Sequence, residues 1–98
     1  MSANEQPTFD IRLRSRRVQR ELDSLREADY QRVVVRLRAL ANDPRPQGCE
    51  KLYDDVHRVR AGDIRISYLV DEGNKRIEVG GIRRRSERTY RGIERLFR

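Results

Sequence analysis

Between His57 and Val70 the chain reads HRVRAGDIRISYLV, and this stretch constrains the fold more tightly than any other. His57, Val59 and Ala61 share one parity, with Arg58 and Arg60 on the other. Beyond Gly62 and Asp63, the apolar set Ile64, Ile66, Tyr68 and Val70 alternates with Arg65, Ser67 and Leu69. Successive side chains of a strand point to opposite faces, so each run reads as a strand with one apolar side. A two-residue turn with glycine first suits a type II′ hairpin. That turn sets Ala61 opposite Ile64, Arg60 opposite Arg65, Val59 opposite Ile66, Arg58 opposite Ser67, and His57 opposite Tyr68. Directly opposed residues share a face, which gathers Arg58, Arg60, Arg65 and Ser67 on one side and His57, Val59, Ile66 and Tyr68 on the other. Facing arginines repel unless an anion, a carboxylate or solvent intervenes.

A second turn is expected over Asp71, Glu72, Gly73 and Asn74, followed by a strand carrying Ile77 and Val79. With Glu72 and Gly73 as the turn, Ser67 falls opposite Glu78 and Arg65 opposite Gly80. Glu78 would then join the arginine face near Arg58, as a balancing salt bridge in preference to a general base. A one-residue slip would exchange the faces. Upstream, Phe9, Ile11 and Leu13 alternate with charged residues as a short strand. Ser15 stands where it can cap a helix bearing Val18, Leu22 and Leu25, and a second helical stripe runs through Tyr30, Val33, Val34, Leu37, Leu40 and Ala41. These two helices are expected to join near Ala28 and Asp29. Asn42 to Pro46 ends the helical run because proline removes a donor and restricts its predecessor. After Ser86, the apolar set Tyr90, Ile93, Leu96 and Phe97 predicts a short terminal helix, weakened by Gly92. The expected fold class is α+β: two N-terminal helices on a small, mostly antiparallel four-stranded sheet, with a short C-terminal helix.

The 98 residues suffice for one domain, read as residues 8–98 after a polar, flexible tail at 1–7. That tail has neither the basic start nor the apolar run of a secretory signal, and no stretch is long enough to span a bilayer, so a cytoplasmic protein without a membrane partner is expected. Cys49 is the one cysteine, with no cysteine or histidine cluster around it that resembles a metal site. Neither a metal nor a cofactor is expected. Formal charge is +7, and all but two of the 23 basic side chains are arginine, the exceptions being Lys51 and Lys75. Most of the excess lies late: residues 58–98 carry 12 basic and 6 acidic side chains. Arginine's planar fork of donors matches phosphate and carboxylate oxygens.

Arg83, Arg84 and Arg85 leave the last strand beside the arginine hairpin, with Arg88 and Tyr90 close behind. They are placed to form a second wall of a phosphate cleft, in which arginines clamp phosphates and a planar group stacks on an unpaired base. Single-stranded RNA fits this better than a DNA groove, and no zinc-finger, Walker or dinucleotide motif competes. His57 titrates in the range useful for acid–base work, but its parity assigns it to the core side as a packing or hydrogen-bonding residue.

The segments KLYDDVHRVRAGDIRISYLV and IEVGGIRRRSERTY, with the strand and two helices before them, resemble the RelE/ParE toxin superfamily over most of residues 8–97. The resemblance is strongest to RelE-like messenger RNA interferases. It implies a type II toxin that cleaves messenger RNA in the ribosomal decoding site, the substrate's 2′-hydroxyl attacking the adjacent phosphate. Arg58 and Arg60 match the paired basic residues of the first hairpin strand, Arg65 the arginine after the turn, Arg83 or Arg85 the arginine after the final strand, and Tyr90 the C-terminal tyrosine. The 83–90 segment holds one extra residue relative to the family. Relatives often have lysine where this chain has Arg58 and Arg60, and arginine hardly releases its proton, which favours clamping over proton transfer. The implied partners are a cognate antitoxin encoded nearby, the ribosome and messenger RNA, with DNA reached only through the antitoxin. A ParE-like gyrase inhibitor and a noncatalytic basic module that binds nucleic acid or a partner are the alternatives.

Overall fold

In the computed structural model, which describes residues 8–84, strand β1 (Asp10–Leu13) leads into helices α1 (Arg16–Asp23) and α2 (Glu27–Asn42). Strands β2 (Glu50–Tyr53), β3 (Val56–Ala61), β4 (Ile64–Asp71) and β5 (Arg76–Arg84) follow. They form one sheet in the order β1-β5-β4-β3-β2. Every pairing is antiparallel except β1 with β5, which is parallel and sets Ile11 beside Ile77 and Leu13 beside Val79. The sheet is thus mostly antiparallel as expected, but five-stranded where four strands were expected. Glu50–Tyr53 supplies the addition. Its two exposed and two half-buried residues carry no apolar alternation, because an edge strand has little surface to bury.

Both helices cover one face of the sheet. Val18 and Leu22 of α1, and Val33, Leu37 and Leu40 of α2, recur at helical spacings and pack on Val59, Ile64, Ile66, Tyr68, Val70, Ile77, Val79 and Ile82. Ser15 takes the N-cap position of α1 in extended conformation, although its hydroxyl makes no cap bond. The junction between helices falls earlier than expected. Ser24 closes α1 and Arg26 precedes α2, so Leu25 lies in the turn and Ala28 and Asp29 already belong to α2. Pro44 lies beyond the end of α2, and its carbonyl accepts a 2.7 Å hydrogen bond from the buried Tyr68 hydroxyl, tying the proline break to the sheet. The expected terminal helix lies outside the described residues.

The β3–β4 hairpin has the register its alternation predicts, from Ala61 opposite Ile64 to His57 opposite Tyr68. Gly62 has φ +63°, as the first residue of a type II′ turn requires. The next hairpin departs from expectation. Leu69 pairs with Glu78, Tyr68 with Val79, and Ser67 with Gly81, which leaves Gly80 as an extra residue in β5. This bulge reverses the parity of everything after it. Without it, Ile82 would stand on the arginine face and Arg83 on the core face. With it, Ile82 is buried in the core and Arg83 lies opposite Arg65.

Candidate nucleic-acid interface

The two hairpin registers, taken together, align three arginines. Arg60 of β3 pairs with Arg65 of β4, and Arg65 pairs with Arg83 of β5, giving one cross-strand row on the face away from the helices. Neighbouring strands lie about 4.8 Å apart, so the row spans roughly 10 Å at the backbone. The next row holds Glu50, Arg58, Ser67 and Gly81 in register.

Exposure differs along this face. Arg60 is exposed and has no ion pair among the described residues, whereas Arg65 is 9% exposed, Arg58 3% and Ser67 1%. Arg58 forms an ion pair with Glu50 from edge strand β2. Arg83 is partly buried, and its Nε donates to Glu21 of α1 at 3.1 Å. Arg58 and Arg83 are therefore each held by a carboxylate, which offsets part of the repulsion that an all-arginine surface would carry.

Arg84 separates from this group. It pairs in register with Ile64 and donates to Asp29 of α2 at 3.1 Å, so of the two consecutive arginines only Arg83 joins the row. Arg85 and Tyr90 lie outside the described residues. Glu78 does not approach Arg58 as expected. It accepts from Arg14 at 2.8 Å and lies 4.0 Å from Arg76, because the turn spans the four residues Glu72 to Lys75 instead of Glu72 and Gly73 alone, which moves its cross-strand partner from Ser67 to Leu69.

His57 sits on the opposite side of the sheet from the arginine row, 4% exposed, stacked on Tyr68 with ring centroids 5.7 Å apart. Its Nδ1 lies 3.1 Å from the Asp55 carbonyl. Burial holds its pKa below the ordinary value, against the pull of that carbonyl. Burial, and then the adjacent Cys49 thiol, push the Tyr68 hydroxyl upward, so it remains neutral. Both rings are parts of the core. Among the described residues no group of histidine, cysteine and acidic side chains is arranged to hold a metal, and no helix is long and apolar enough to cross a membrane. The face offers fixed positive charge and forked donors, a combination suited to binding phosphate and stabilising charge on its oxygens.

Sequence reasoning missed Glu21 and Glu50. Glu50 becomes visible only once Glu50–Tyr53 is recognised as a strand, and Glu21 carries no local signal beyond its four-residue spacing from Arg17.

No family model matches the chain, and no curated protein matches it. Solved structures do. The RelE of an archaeal RelE–RelB complex from Pyrococcus horikoshii OT3 superposes with TM-score 0.70 at 25% identity, covering 82% of this chain and 98% of that one. A double arginine-to-alanine variant of Escherichia coli toxin RelE in the free state gives TM-score 0.78 at 14% identity, covering 93% and 99%. The toxin–antitoxin complex RelBE2 from Mycobacterium tuberculosis gives 0.69 at 18%, covering 80% and 99%. The fold is RelE-like. This structural likeness supports assignment of the chain to the RelE/ParE superfamily.

Proposed function

We propose that this chain is the toxin of a type II toxin–antitoxin pair and acts as a ribosome-dependent messenger RNA endonuclease. The observation that carries this reading is the Arg60–Arg65–Arg83 row, built by two hairpin registers and a bulge on one sheet face. In the reaction, the 2′-oxygen of the message attacks the adjacent phosphorus and loses its proton. The P–O5′ bond breaks, the 5′-oxygen gains a proton, and a 2′,3′-cyclic phosphate remains. Negative charge accumulates on the non-bridging oxygens, where Arg65 and Arg83 stabilise it while Arg58 and Arg60 hold the phosphate. Arginine is a poor proton carrier, so the ribosome or solvent supplies proton transfer in this scheme. Arg85 and Tyr90 keep the roles the family resemblance implies, a further clamp and a stacking surface.

A cognate antitoxin is the proposed partner, in a cytoplasmic setting. Two of the similar solved chains come from complexes with RelB or as RelBE2. The outer face of α2 suits such a partner: Val35, 64% exposed, borders an apolar notch lined by Arg32, Arg36, Ala61 and Gly62. An amphipathic acidic segment would seat an apolar side chain there and meet the arginines with carboxylates.

The test adds purified protein to a translating extract, maps message ends and runs a gyrase supercoiling assay in parallel. Breaks that require ribosomes and vanish in an Arg65→Ala, Arg83→Ala double variant support the reading. Intact messages with trapped gyrase would favour the gyrase inhibitor. Salt-sensitive RNA binding without cleavage would favour a noncatalytic module.

A further inference from the structure

Strand β1 accompanies β5 only from Arg76 to Val79, its last contact being a 2.9 Å bond from the Arg14 amide to the Val79 carbonyl. Beyond that point the outer edge of β5 has no neighbouring strand among the described residues, yet the Gly80 carbonyl and the Ile82 amide both have partners. Two side chains of α1 take the place of a strand. Glu21 Oε1 accepts from the Ile82 amide at 3.0 Å, and Arg17 Nη2 donates to the Gly80 carbonyl at 3.1 Å. Arg17 Nη1 also donates to Glu21 Oε2 at 2.9 Å, which locks the pair across one helical turn. The same Oε2 accepts from Arg83 Nε at 3.1 Å.

These bonds bracket the Gly80 bulge, the irregularity that brings Arg83 onto the arginine face. Before the bulge, odd-numbered Val79 presents its carbonyl outward; from the bulge on, the Gly80 carbonyl and the Ile82 amide do so. The Arg17–Glu21 pair thus reads the shifted edge and fits only the bulged register. Through Oε2 it also anchors the Arg83 guanidinium by Nε, not by the terminal nitrogens that form its phosphate-gripping fork. Glu21 is 19% exposed at its side chain, which shields these bonds from competing water.

We propose that Glu21 is a positioning residue for the phosphate clamp: it holds the β5 bulge in register and orients the Arg83 guanidinium, without touching RNA. The inference rests on the reading of Arg83 as a phosphate ligand. It differs from a simple counter-ion role in sign. A counter-ion competes with phosphate, so its neutralisation would tighten substrate binding and leave turnover intact; a positioning residue, once neutralised, costs turnover.

The experiment compares wild type with Glu21→Gln, whose amide oxygen can still accept from the Ile82 amide. Cleavage of ribosome-bound message is measured alongside the ¹⁵N spectrum of arginine Nε groups. Glu21→Gln is expected to lower kcat about tenfold with KM changed by less than about twofold, and to shift the Arg83 Nε signal. Unchanged kcat, or an unchanged Arg83 signal in a folded variant, would overturn the proposal. If the wild-type chain cleaves no message, the nuclease reading fails separately. The Nε signal, followed during titration with inorganic phosphate, then decides: a smaller phosphate response at Arg83 in Glu21→Gln supports positioning, and an equal or larger one overturns it. Should the variant not fold, wild-type exchange provides the readout. Arg83 Nε–H must be protected relative to that of exposed Arg60, and equal exchange overturns the proposal.

Discussion

Replacing Arg60 by glutamine should stabilise the fold while impairing RNA engagement. Arg60 and Arg65 are directly opposed across β3 and β4, so their guanidinium groups leave backbone positions about 5 Å apart. Two like charges at that distance repel by about 1–3 kcal/mol for effective dielectrics between water and a protein surface. Arg60 is exposed, and its flexible stem lets the charges splay, which brings the expected gain down to about 0.5–1 kcal/mol. For a domain of this size that corresponds to a rise in Tm of roughly 2–8 °C. Thermal unfolding of wild type and Arg60→Gln at low salt and at 1 M salt is the assay. The difference should be present at low salt and nearly vanish at 1 M, where the screening length falls to about 3 Å. A destabilised variant, or a gain independent of salt, would refute the claim that this row stores electrostatic repulsion for a ligand to relieve.

Tyr68→Phe removes the donor to the Pro44 carbonyl and should cost about 1–2 kcal/mol by denaturant titration, the ring packing being retained. Gly62→Ala places a Cβ at φ +63° and 3.4 Å from Arg32 Cδ, and should cost about 1–2 kcal/mol in the same assay. The native fold holds His57 below its ordinary pKa near 6.5, so below that pH the unfolded chain binds a proton that the native state resists. Stability from this group is therefore full above 6.5 and falls as pH drops toward the lower native value, with a slope of at most about 1.4 kcal/mol per unit; His57→Phe should flatten that part of the profile.

The first hairpin was fully legible because Gly62 and Asp63 lie between two strongly alternating runs, leaving one register that buries Val59, Ile66 and Tyr68 together. The helices were legible from the spacing of Val33, Leu37 and Leu40. Glu78 falls one row from its expected place because the second turn takes four residues, Glu72 to Lys75, where two were expected, and nothing local distinguishes the bulge at Gly80 from a regular strand. That bulge is held by Arg17 and Glu21, which lie some sixty residues earlier. Strand β2 was missed for a related reason: its pairing with β3 comes from backbone bonds and the Glu50–Arg58 pair, not from apolar alternation. Arg60 and Arg65 were thus readable as neighbours from a turn alone, while the addition of Arg83 to their row needed tertiary contacts.

The arginine row's role is tested most directly by single-turnover cleavage on purified ribosomes carrying a defined message, comparing wild type with Arg60→Ala, Arg65→Ala and Arg83→Ala. The expected result is a fragment ending in 2′,3′-cyclic phosphate with wild type. Each substitution should slow its formation by about 10²-fold or more while leaving the fold intact. A wild-type chain that leaves the message whole, or cleavage that survives loss of Arg65 and Arg83, would contradict the account.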